Sequence, residues 1–367
     1  MTMETMKLQG LETYLQGRVN TTQTASTPLV SIIISNYNGR KLIESCLDSV
    51  LHWSQGIDCE VIVIDACSTD GSVEFIKTHY KNPNLKVLAF DHRIGLAESN
   101  DIGLMSARGK YVMFLDNDVI IQSRWLEPLI SAAESSQRFG AAQPMLISLN
   151  SGKIDTLGGM IDCFGNAIGI AAGETPNRHH DTREVFFPRG AAFFANKQAL
   201  ISVGGFDPDF FLGYEEIDPS WRLWLAGYQV LSIPSSRIMH AIGRTSSRRP
   251  IGLSQFHGKK NQIAMLIKNY ELTNVLKYLP LQLLLLNLFE MLLALLVGKP
   301  SPIVSYWQAV YWNIKNIRRT LEKRCYVQLF IRVVRDSEIR SKVMLSFGDY
   351  LRRRFAHSVI DSLLWKD

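Results

Sequence analysis

Short, nearly continuous apolar runs alternate with stretches of helical period along residues 29–118. The apolar runs predict β-strands and the periodic stretches predict helices, in the order β-α-β-α-β-α-β. The predicted strands are 29–35, 60–65, 85–90 and 111–116, and the predicted helices are 42–51, 73–80 and 96–107. Because these strands are apolar on both faces, we expect helices on both sides of a mostly parallel sheet. The pattern therefore predicts a doubly wound α/β domain.

Polar clusters follow three of the predicted strands, at positions 36–39, 65–72 and 116–118. In open α/β sheets, ligands bind beyond the carboxyl ends of the strands, where the strand order switches. We therefore expect the binding site at this edge. The sequence has no G-x-G-x-x-G that opens a helix after a strand and no G-x-x-x-x-G-K-[ST], which disfavours dehydrogenases and P-loop NTPases.

The stretch 140–245 is richer in glycine and aromatic residues, and we interpret it as short strands and loops that complete the domain. One helix start is legible within it. Asp218 is the predicted N-cap, Pro219 takes the first helical position, and Gly227 comes just after the helix ends.

The whole chain of 367 residues is longer than one compact core usually requires, and we divide it into five segments. They are a polar N-terminal segment at 1–27, the α/β domain at 28–245, a lid or helix at 246–278, an apolar amphipathic helix at 279–298 and a basic helical tail at 299–367.

The apolar segment at 279–297 has 15 apolar residues among 19, close to the length that spans a bilayer. Its Gln282, Asn287 and Glu290 fall on one polar arc of a helix, and a carboxylate at the bilayer centre would cost several kcal/mol. A helix that lies in the membrane interface fits this pattern better than a span. The alternative is a helix packed on the protein's own core.

The net charge of +6 is unevenly distributed, because residues 299–367 carry 14 Lys/Arg against 6 Asp/Glu and leave positions 1–298 at −2. A basic segment that contains Trp307 and Trp312 is typical of contact with an anionic membrane surface, and a solvated helical face gives the same pattern. The acidic body disfavours a nucleic-acid partner.

Composition and cysteine placement limit the class of protein and the cellular compartment. With 46% hydrophobic and 20% charged residues, the chain is neither disordered nor collagen-like. Five scattered cysteines without a C-x-x-C pair argue against a disulfide framework and a thiolate zinc site. The polar start lacks the apolar core of a signal peptide. We expect a cytoplasmic protein that is peripheral on the inner face of the cell membrane.

Carboxylates at two strand ends are the main candidates for chemistry. Asp116 and Asp118 end one strand, and hard oxygen ligands of this kind suit Mg²⁺ or Mn²⁺ bound to a nucleoside diphosphate, although an ordinary surface turn has the same composition. Asp65 ends another strand and can accept hydrogen bonds from a base or a ribose. A simple βα loop with a helix cap also explains the 65–72 turn.

Taken in order, these motifs resemble those of family 2 glycosyltransferases, most of all the rhamnosyltransferase-like branch. The match runs from about 29 to 270 and consists of 32–39, 65–72, Gly95, Asn100, Gly103, 107–111, 116–118, 190–192, 204–207, 214–218, His240 and Asn261. The resemblance implies a GT-A fold, an α/β fold with a doubly wound and mostly parallel sheet. It also implies inverting transfer of a sugar from a nucleotide-diphosphate donor to a hydroxyl group.

The resemblance further implies a role for each matching residue. The nucleotide-sugar-binding residues would be Ser35, Asn36, Tyr37, Asp65, Arg93, Asn100, Asp116 and Asn117. The metal ligands would be Asp118 and His240, and the acceptor side would include Gly190, Ala191 and Trp221. The catalytic base would come from Glu216, Glu215 or Asp218. Inversion in one displacement needs such a base for the acceptor proton and a cation for the departing diphosphate.

Adjacent acids such as Glu215 and Glu216 repel each other, which can raise one pKa towards neutrality. An acidic helix N-terminus favoured by the helix dipole is the alternative reading of this cluster.

Three positions depart from the family pattern. Glu216 stands where aspartate is usual and is one methylene longer, which leaves the identity of the base open. Ala66 replaces an often polar residue and weakens any inference about the nucleobase. Arg93 stands where asparagine is frequent, and it either contacts a donor phosphate or pairs with a carboxylate.

The sequence thus predicts a metal-dependent, inverting glycosyltransferase that acts at the cytoplasmic face of a membrane. Its partners would be a UDP-, dTDP- or GDP-linked sugar, a glycan or lipid-linked acceptor and an anionic membrane surface, with a homo-oligomer left open. Two other classes remain. A nucleotidyltransferase should have a Gly-rich basic loop after the first strand, for which 36–39 is a poor candidate. The altered Glu216 would suit a catalytically inactive scaffold.

Overall fold

The computed structural model describes residues 27–241, 251–286, 301–346 and 348. Most of the polar N-terminal segment, residues 287–298 of the predicted apolar helix, and the end of the basic tail lie outside these ranges.

The first part of the chain has the predicted alternation of strands and helices, with boundaries shifted by at most two residues. The elements are β1 (Val30–Asn36), α1 (Arg40–Trp53), β2 (Cys59–Asp65), α2 (Ser72–His79), β3 (Leu85–Ala89), α3 (Leu96–Ser106) and β4 (Tyr111–Asp116). On β1, Ile33 packs into one hydrophobic cluster while Ile32 and Ile34 pack into another on the opposite face. The predicted burial of the sheet on both faces is confirmed.

The middle of the chain contains longer strands than the sequence pattern predicts. Its elements are β5 (Val119–Ile121), α4 (Glu127–Glu134), β6 (Phe139–Ser148), β7 (Ile154–Thr156), β8 (Gly159–Asp162), β9 (Ala167–Gly169), β10 (Arg183–Glu184), β11 (Ala192–Asn196), α5 (Lys197–Ser202), α6 (Ile217–Leu225) and β12 (Gln229–His240). The expectation of only short strands was wrong for β6 and β12. Both strands contain proline, and β12 has a register shift between Ile233 and Arg237, features that hide a long strand in the sequence.

The main sheet has the strand order β10-β12-β6-β11-β4-β1-β2-β3. The strands β3, β2, β1 and β4 are parallel, β11 runs antiparallel to β4 and β6, and β12 runs parallel to β6. At the carboxyl end of β1, Asn36 pairs with Asp65 of β2 and Ser35 pairs with Asp116 of β4. This register places three of the predicted polar clusters at one edge of the sheet.

Helix α6 begins at Ile217, so the prediction that Asp218 is its N-cap was wrong. Asp218 lies in the first turn of the helix and is fully buried. Its carboxylate binds the side chains of Arg222 in the same helix and of Lys268 and Asn269. Gly227 follows the end of α6 with a φ of +85°, as predicted for a residue just beyond the helix.

Beyond residue 250 the chain forms mainly helices. They are α7 (Ile251–Asn269), α8 (Leu272–Leu281), α9 (Ser301–Lys315), α10 (Ile317–Tyr326) and α11 (Asp336–Val343), with π-helical turns at Gln282–Leu286 and Val327–Ile331. Strand β13 (Met344–Leu345) joins β8 and β9 in a small second sheet. The start of the predicted apolar segment at 279 belongs to α8, which began seven residues earlier. Among the described helices, none combines the length and apolar character that a membrane crossing requires.

Candidate active site

A chain of hydrogen bonds joins three strand ends at the carboxyl edge of the sheet. The Asn36 amide donates to Asp65 Oδ2 at 2.7 Å, and the Asn117 amide donates to Asn36 Oδ1 at 2.7 Å. Asp65 also accepts hydrogen bonds from the backbone and side chain of Ser68. The edge is tightly packed, because a Cβ at Gly39 would lie 2.0 Å from Asn117 Nδ2. The amides of β1 and β4 are thus fixed relative to the carboxylate of β2.

A cavity of about 490 Å³ opens beside this network. Six of the eight residues predicted to bind the nucleotide sugar line it: Ser35, Asn36, Tyr37, Arg93, Asp116 and Asn117. The other two lie behind the wall and hold wall residues in place, since Asn100 accepts a hydrogen bond from Ser35 at 3.1 Å and Asp65 accepts one from Asn36. Asp65 is only 1% exposed. In this structure it supports the cavity wall from behind.

Arg93 is exposed and stacks on the aromatic wall of the cavity. Its guanidinium carbon lies 4.5 Å from the centre of the Tyr37 ring and 5.9 Å from that of Phe211. A guanidinium group in such a stack keeps its charge and its N–H donors. Arg93 can therefore offer hydrogen bonds to an anionic ligand at the cavity mouth.

Asp118 and His240 come together because β5 pairs with β12. Val119 lies opposite His240 in this antiparallel pair, and the backbone amide of Ala241 donates to the Asp118 carbonyl at 2.9 Å. His240 Nε2 is 3.4 Å from Asp118 Oδ1, and its Nδ1 is 2.8 Å from Asp155 Oδ2. Burial alone would lower the pKa of His240, but the hydrogen bonds and negative charges of Asp118, Asp155 and Asp116 raise it to about 10.

Once Nε2 of His240 has lost its proton, Asp118 and His240 offer a carboxylate oxygen and an imidazole nitrogen to a divalent cation, and a substrate would supply further ligands. Within the described residues, no group of three or more His, Cys, Asp or Glu side chains is arranged to hold a metal ion. Mg²⁺ commonly binds through one or two carboxylates together with substrate phosphates and waters. A carboxylate and an imidazole beside a cavity therefore suit a cation shared with a diphosphate.

Glu216 lies immediately before α6 and points towards the loop that precedes β11. The backbone amide of Gly190 donates to its Oε1 at 3.3 Å, and the amide of Asp116 donates to the Ala191 carbonyl at 3.2 Å. Gly190 and Ala191 thus connect Glu216 to the strand end that carries Asp116 and Asp118. Glu216 Oε2 is buried and has no hydrogen-bond partner among the described residues. Burial raises the pKa of the Glu216 carboxyl, and the Gly190 amide and the Arg189 charge only partly offset this effect.

Asp218 has a different environment from Glu216, although both were candidates for the catalytic base. Its Oδ2 lies 2.9 Å from both Arg222 Nη2 and Lys268 Nζ, and its Oδ1 accepts from the Asn269 amide at 2.9 Å. Burial alone would raise its pKa, but the charges of Lys268 and Arg222 lower it. A carboxylate held in this way is a poor proton acceptor. The geometry contradicts a role for Asp218 as base and makes it a structural anchor of α6.

Trp221, which was predicted on the acceptor side, is fully buried. Its ring packs edge-on against Phe186 and Tyr270, with centroids 5.5 Å and 4.7 Å away. This prediction is wrong, because a residue one turn into the buried helix α6 faces the core and cannot reach an acceptor. Glu215 is also buried, at 7% exposure.

Two residues that shape the site carried no assigned role in the sequence analysis. Asp155 contacts His240 from the short strand β7, and nothing in the surrounding Ile-Asp-Thr pattern marks it. Asn261 donates hydrogen bonds to the carbonyls of Phe210, Leu212 and Gly213, which lie in the loop just before Glu215 and Glu216. The family resemblance included Asn261, but its partners are about 50 positions away in the chain.

Comparison with known proteins identifies related sequences. The profile of the family described as glycosyl transferase family 2 matches residues 31–207, a little under half of the chain. An O-antigen biosynthesis protein, RfbC of Myxococcus xanthus, is 26% identical over 231 residues, which cover 61% of this chain and 18% of that protein. The poly-beta-1,6-N-acetyl-D-glucosamine synthase of Staphylococcus epidermidis is 27% identical over 207 residues, 55% of this chain and 47% of that protein.

The fold has solved counterparts. The crystal structure of GalNAc-T7 with UDP, GalNAc and Mn²⁺ superposes with a TM-score of 0.54 at 20% identity, covering 66% of this chain and 48% of the other. The fold is therefore that of the GT-A glycosyltransferases, as predicted. The two curated relatives are longer proteins, of which this chain spans about a fifth and about a half. Together these findings support a glycosyltransferase.

Proposed function

We propose that the chain is an inverting glycosyltransferase of family 2, which transfers a sugar from a nucleotide-diphosphate donor to a hydroxyl group of an acceptor. The observation that carries this proposal is that residues 116–118 join three features. Asp116 and Asn117 line the cavity, Asp118 lies beside His240, and the 190–191 loop links Asp116 to the carboxyl of Glu216. The family match at 31–207 covers the first part of this edge, and His240 and Glu216 complete it from beyond the matched residues.

The cavity beside Asn36 and Asn117 binds the nucleotide in this proposal. Its fixed amides and the carboxylate of Asp116 supply hydrogen bonds, while Tyr37 supplies a ring face. Arg93 stands on that ring and is exposed, so we assign it to the donor phosphates and not to a protein carboxylate. The GalNAc-T7 structure, which shares the fold, contains UDP, and this supports a nucleotide as the ligand.

Asp118 and His240 Nε2 are the groups that would hold the metal, Mg²⁺ or Mn²⁺. A divalent cation at that place supplies positive charge that stabilises the diphosphate as it leaves. The donor chemistry of this pair and the Mn²⁺ in the GalNAc-T7 structure support metal dependence.

Glu216 acts as the general base in this mechanism. The acceptor oxygen attacks the anomeric carbon as the bond to the diphosphate breaks, and the acceptor proton passes to Glu216 Oε2. One displacement on the face opposite the leaving group inverts the configuration. A raised pKa suits the task, because a base works best when its pKa approaches the working pH. Oε2 has no hydrogen-bond partner among the described residues, so its lone pairs are not used within this structure.

We further propose a glycan or lipid-linked acceptor and a peripheral position on an anionic membrane, at its cytoplasmic face. The names of both curated relatives concern polysaccharide or O-antigen synthesis, which supports an acceptor of this class. The exposed apolar side chains of α9 support the membrane contact, since Trp307 and Tyr311 are 57% and 66% exposed. The rhamnosyltransferase-like branch is our proposal for the subgroup.

The direct test is product analysis with the purified protein, Mn²⁺ and a panel of UDP-, dTDP- and GDP-linked sugars. We expect at least one donor to yield its nucleoside diphosphate, by hydrolysis or by transfer. Asp118→Ala should abolish this release, whereas Asp181→Ala, which changes an exposed aspartate, should not. Release of pyrophosphate from a sugar phosphate and a nucleoside triphosphate would instead show a nucleotidyltransferase. A protein that binds and cleaves no donor would be a scaffold, and the proposal would be wrong.

A further inference from the structure

The His240 ring is in contact with a carboxylate at each of its two nitrogens. Nδ1 lies 2.8 Å from Asp155 Oδ2, and Nε2 lies 3.4 Å from Asp118 Oδ1. The Nδ1 contact has the distance of a good hydrogen bond, while the Nε2 contact is longer. The structure thus distinguishes the two carboxylates, one bound tightly to the ring and one facing it across a wider gap.

Three neighbouring strands fix this arrangement. His240 ends β12 and lies beside Ser148 at the end of β6, while Ile154 of β7 pairs with Ile147 on the other side of β6. The backbone amide of Leu149 donates to the His240 carbonyl at 2.9 Å, and that of Ser148 donates to the Lys153 carbonyl at 2.8 Å. Asp155 and His240 therefore meet across the end of β6 on a rigid frame.

The chemistry of the pair sets the direction of the imidazole. A carboxylate can only accept a hydrogen bond, so Nδ1 carries the hydrogen that it donates to Asp155. Rotation of the ring about its Cβ–Cγ bond, including a flip of 180°, would break the hydrogen bond to Asp155. Nε2 consequently stays directed at Asp118. In metal sites, a second carboxylate that holds a ligating histidine in this way orients the ligand and strengthens binding.

We propose that Asp155 is a positioning residue of the metal site, which holds His240 so that Nε2 and the Asp118 carboxylate face one cation. The inference rests on the proposed function only for the presence of that cation. Asp155 and His240 side chains are 15% and 16% exposed, so the pair is shielded from competing water.

The chain contains a matched control for this pair. His179 Nε2 lies 2.9 Å from Glu174 Oε2, nearly the same carboxylate–histidine distance, at a surface position where the glutamate is 53% exposed. The residues of this pair lie outside the catalytic edge. Substitution of Glu174 therefore measures what the loss of a similar contact does to the fold alone.

The test is a titration of Mn²⁺ alone into wild-type protein and variants, followed by the electron paramagnetic resonance signal of free Mn²⁺. The titration extends to millimolar concentrations, because two protein ligands without a diphosphate hold the cation weakly. For Asp155→Ala we expect the dissociation constant to rise about 10- to 100-fold. Asp155→Asn should recover a large part of the affinity, since its amide oxygen still accepts from Nδ1. Glu174→Ala should bind as wild type does.

A double variant separates positioning from direct ligation. In the background of His240→Ala, Asp155→Ala should weaken Mn²⁺ binding no further, because its effect passes through the histidine. Additive losses would make Asp155 a ligand and overturn the proposal, as would unchanged affinity in Asp155→Ala. Thermal unfolding without metal checks that the variants fold. Wild-type protein that binds no Mn²⁺ would overturn the proposed metal dependence itself, a result visible before any substitution is compared.

Discussion

At the scale of single residues, hydrogen-bond partners distinguish Asp218 from Glu216 near the start of α6. Asp218 is held by two cations and an amide, whereas the Glu216 carboxyl has a buried oxygen without a described partner. The longer side chain of Glu216, an unusual feature for the family pattern, reaches the Gly190 amide at 3.3 Å. The position of the acid therefore accommodates the extra methylene, and the departure from aspartate gives no reason to call the protein inactive.

The Glu216→Gln variant tests the base. We expect the transfer rate to fall on the order of 10²-fold or more while donor affinity stays near that of wild type, because only the proton acceptor is removed. Wild-type activity should rise with pH through a pKa above the ordinary glutamate value of about 4.3, since the base must be deprotonated and its pKa is raised. A pH–rate profile of both proteins measures this rise of activity with pH, which should be absent in the variant.

The neighbour provides the control. Glu215→Gln should retain most of the activity, and a larger loss there than at Glu216→Gln would move the base to Glu215.

The raised pKa has a second consequence for Glu216: its ionisation opposes folding, so stability contributed by the protonated form is lost as pH rises through the folded-state pKa. The Gln variant should therefore gain thermal stability over wild type at neutral pH and lose this advantage near pH 4.

The proximity of site residues was predictable from sequence where the residues lie at the ends of successive parallel strands. Asn36, Asp65 and Asp116 follow apolar strands, and parallel strands end at one edge, so their proximity could be predicted. Asp155 could not be, because its partner His240 lies 85 positions away and is reached only through the pairing of β7, β6 and β12. Trp221 was misplaced for a related reason, since the burial of α6 on every side is not visible in its sequence.

At the scale of elements, buried ion pairs join the C-terminal helices to α6 and to Asp207, which precedes it. Lys268 of α7 contacts Asp207 at 2.5 Å and Asp218 of α6 at 2.9 Å, and Lys323 of α10 contacts Asp207 at 2.5 Å. The predicted lid segment and basic tail are thus anchored next to the residues that precede and begin α6. Basic side chains of the tail, such as Lys323, partly neutralise acidic side chains of the body. A count of charges along the sequence does not reveal these pairs.

Helix α9 has one face packed and one face exposed. Ser305 and Asn313 bind backbone carbonyls of α7, at 3.2 Å and 3.1 Å. At 100° per residue, the exposed apolar side chains fall within an arc of about 80°: they are Val304, Trp307, Tyr311 and Ile314. In residues 301–326, Glu322 is the only acidic residue against five Lys/Arg. An apolar stripe with an aromatic pair and cationic surroundings suits an anionic membrane surface.

Replacement of Trp307 tests this face. Trp307→Ser should lower sedimentation with phosphatidylglycerol-rich vesicles about tenfold, the scale of losing one large buried apolar side chain. Trp53→Ser removes a tryptophan that is 41% exposed on α1 and serves as the matched control, with no expected effect. Equal sedimentation of all three proteins would contradict the membrane proposal. A shift of Trp307→Ser to a smaller species in velocity sedimentation would instead make this face a contact between two copies.

At the scale of the whole molecule, the local sequence pattern predicted the part of the fold that repeats a simple strand–helix unit. From β1 to β4 each strand and helix carries its own period, and the structure differs by two residues at most. Beyond β5 the chain returns to the same sheet through β6, β11 and β12, whose partners are distant in sequence. Those pairings bring His240 to Asp118 and the Gly190 loop to Glu216. The family resemblance, and not the local pattern, placed them in the same site.

The account as a whole depends on a diphosphate that is held at the carboxyl edge through a divalent cation. The parts of this site are Asp118, His240, Asn117 and the cavity beside Asn117. Each part is linked to the next by a close contact or by adjacency in the chain. Neither the choice of base nor the membrane contact alters this requirement.

Calorimetric titration of UDP, dTDP and GDP into the wild-type protein, once with Mn²⁺ and once with EDTA, measures this requirement directly. We predict that at least one of the three nucleotides binds with Mn²⁺, that EDTA weakens its binding at least tenfold, and that Asp118→Ala removes the difference between the two conditions. Binding of equal strength with and without the cation, or a difference that persists in Asp118→Ala, would contradict the account.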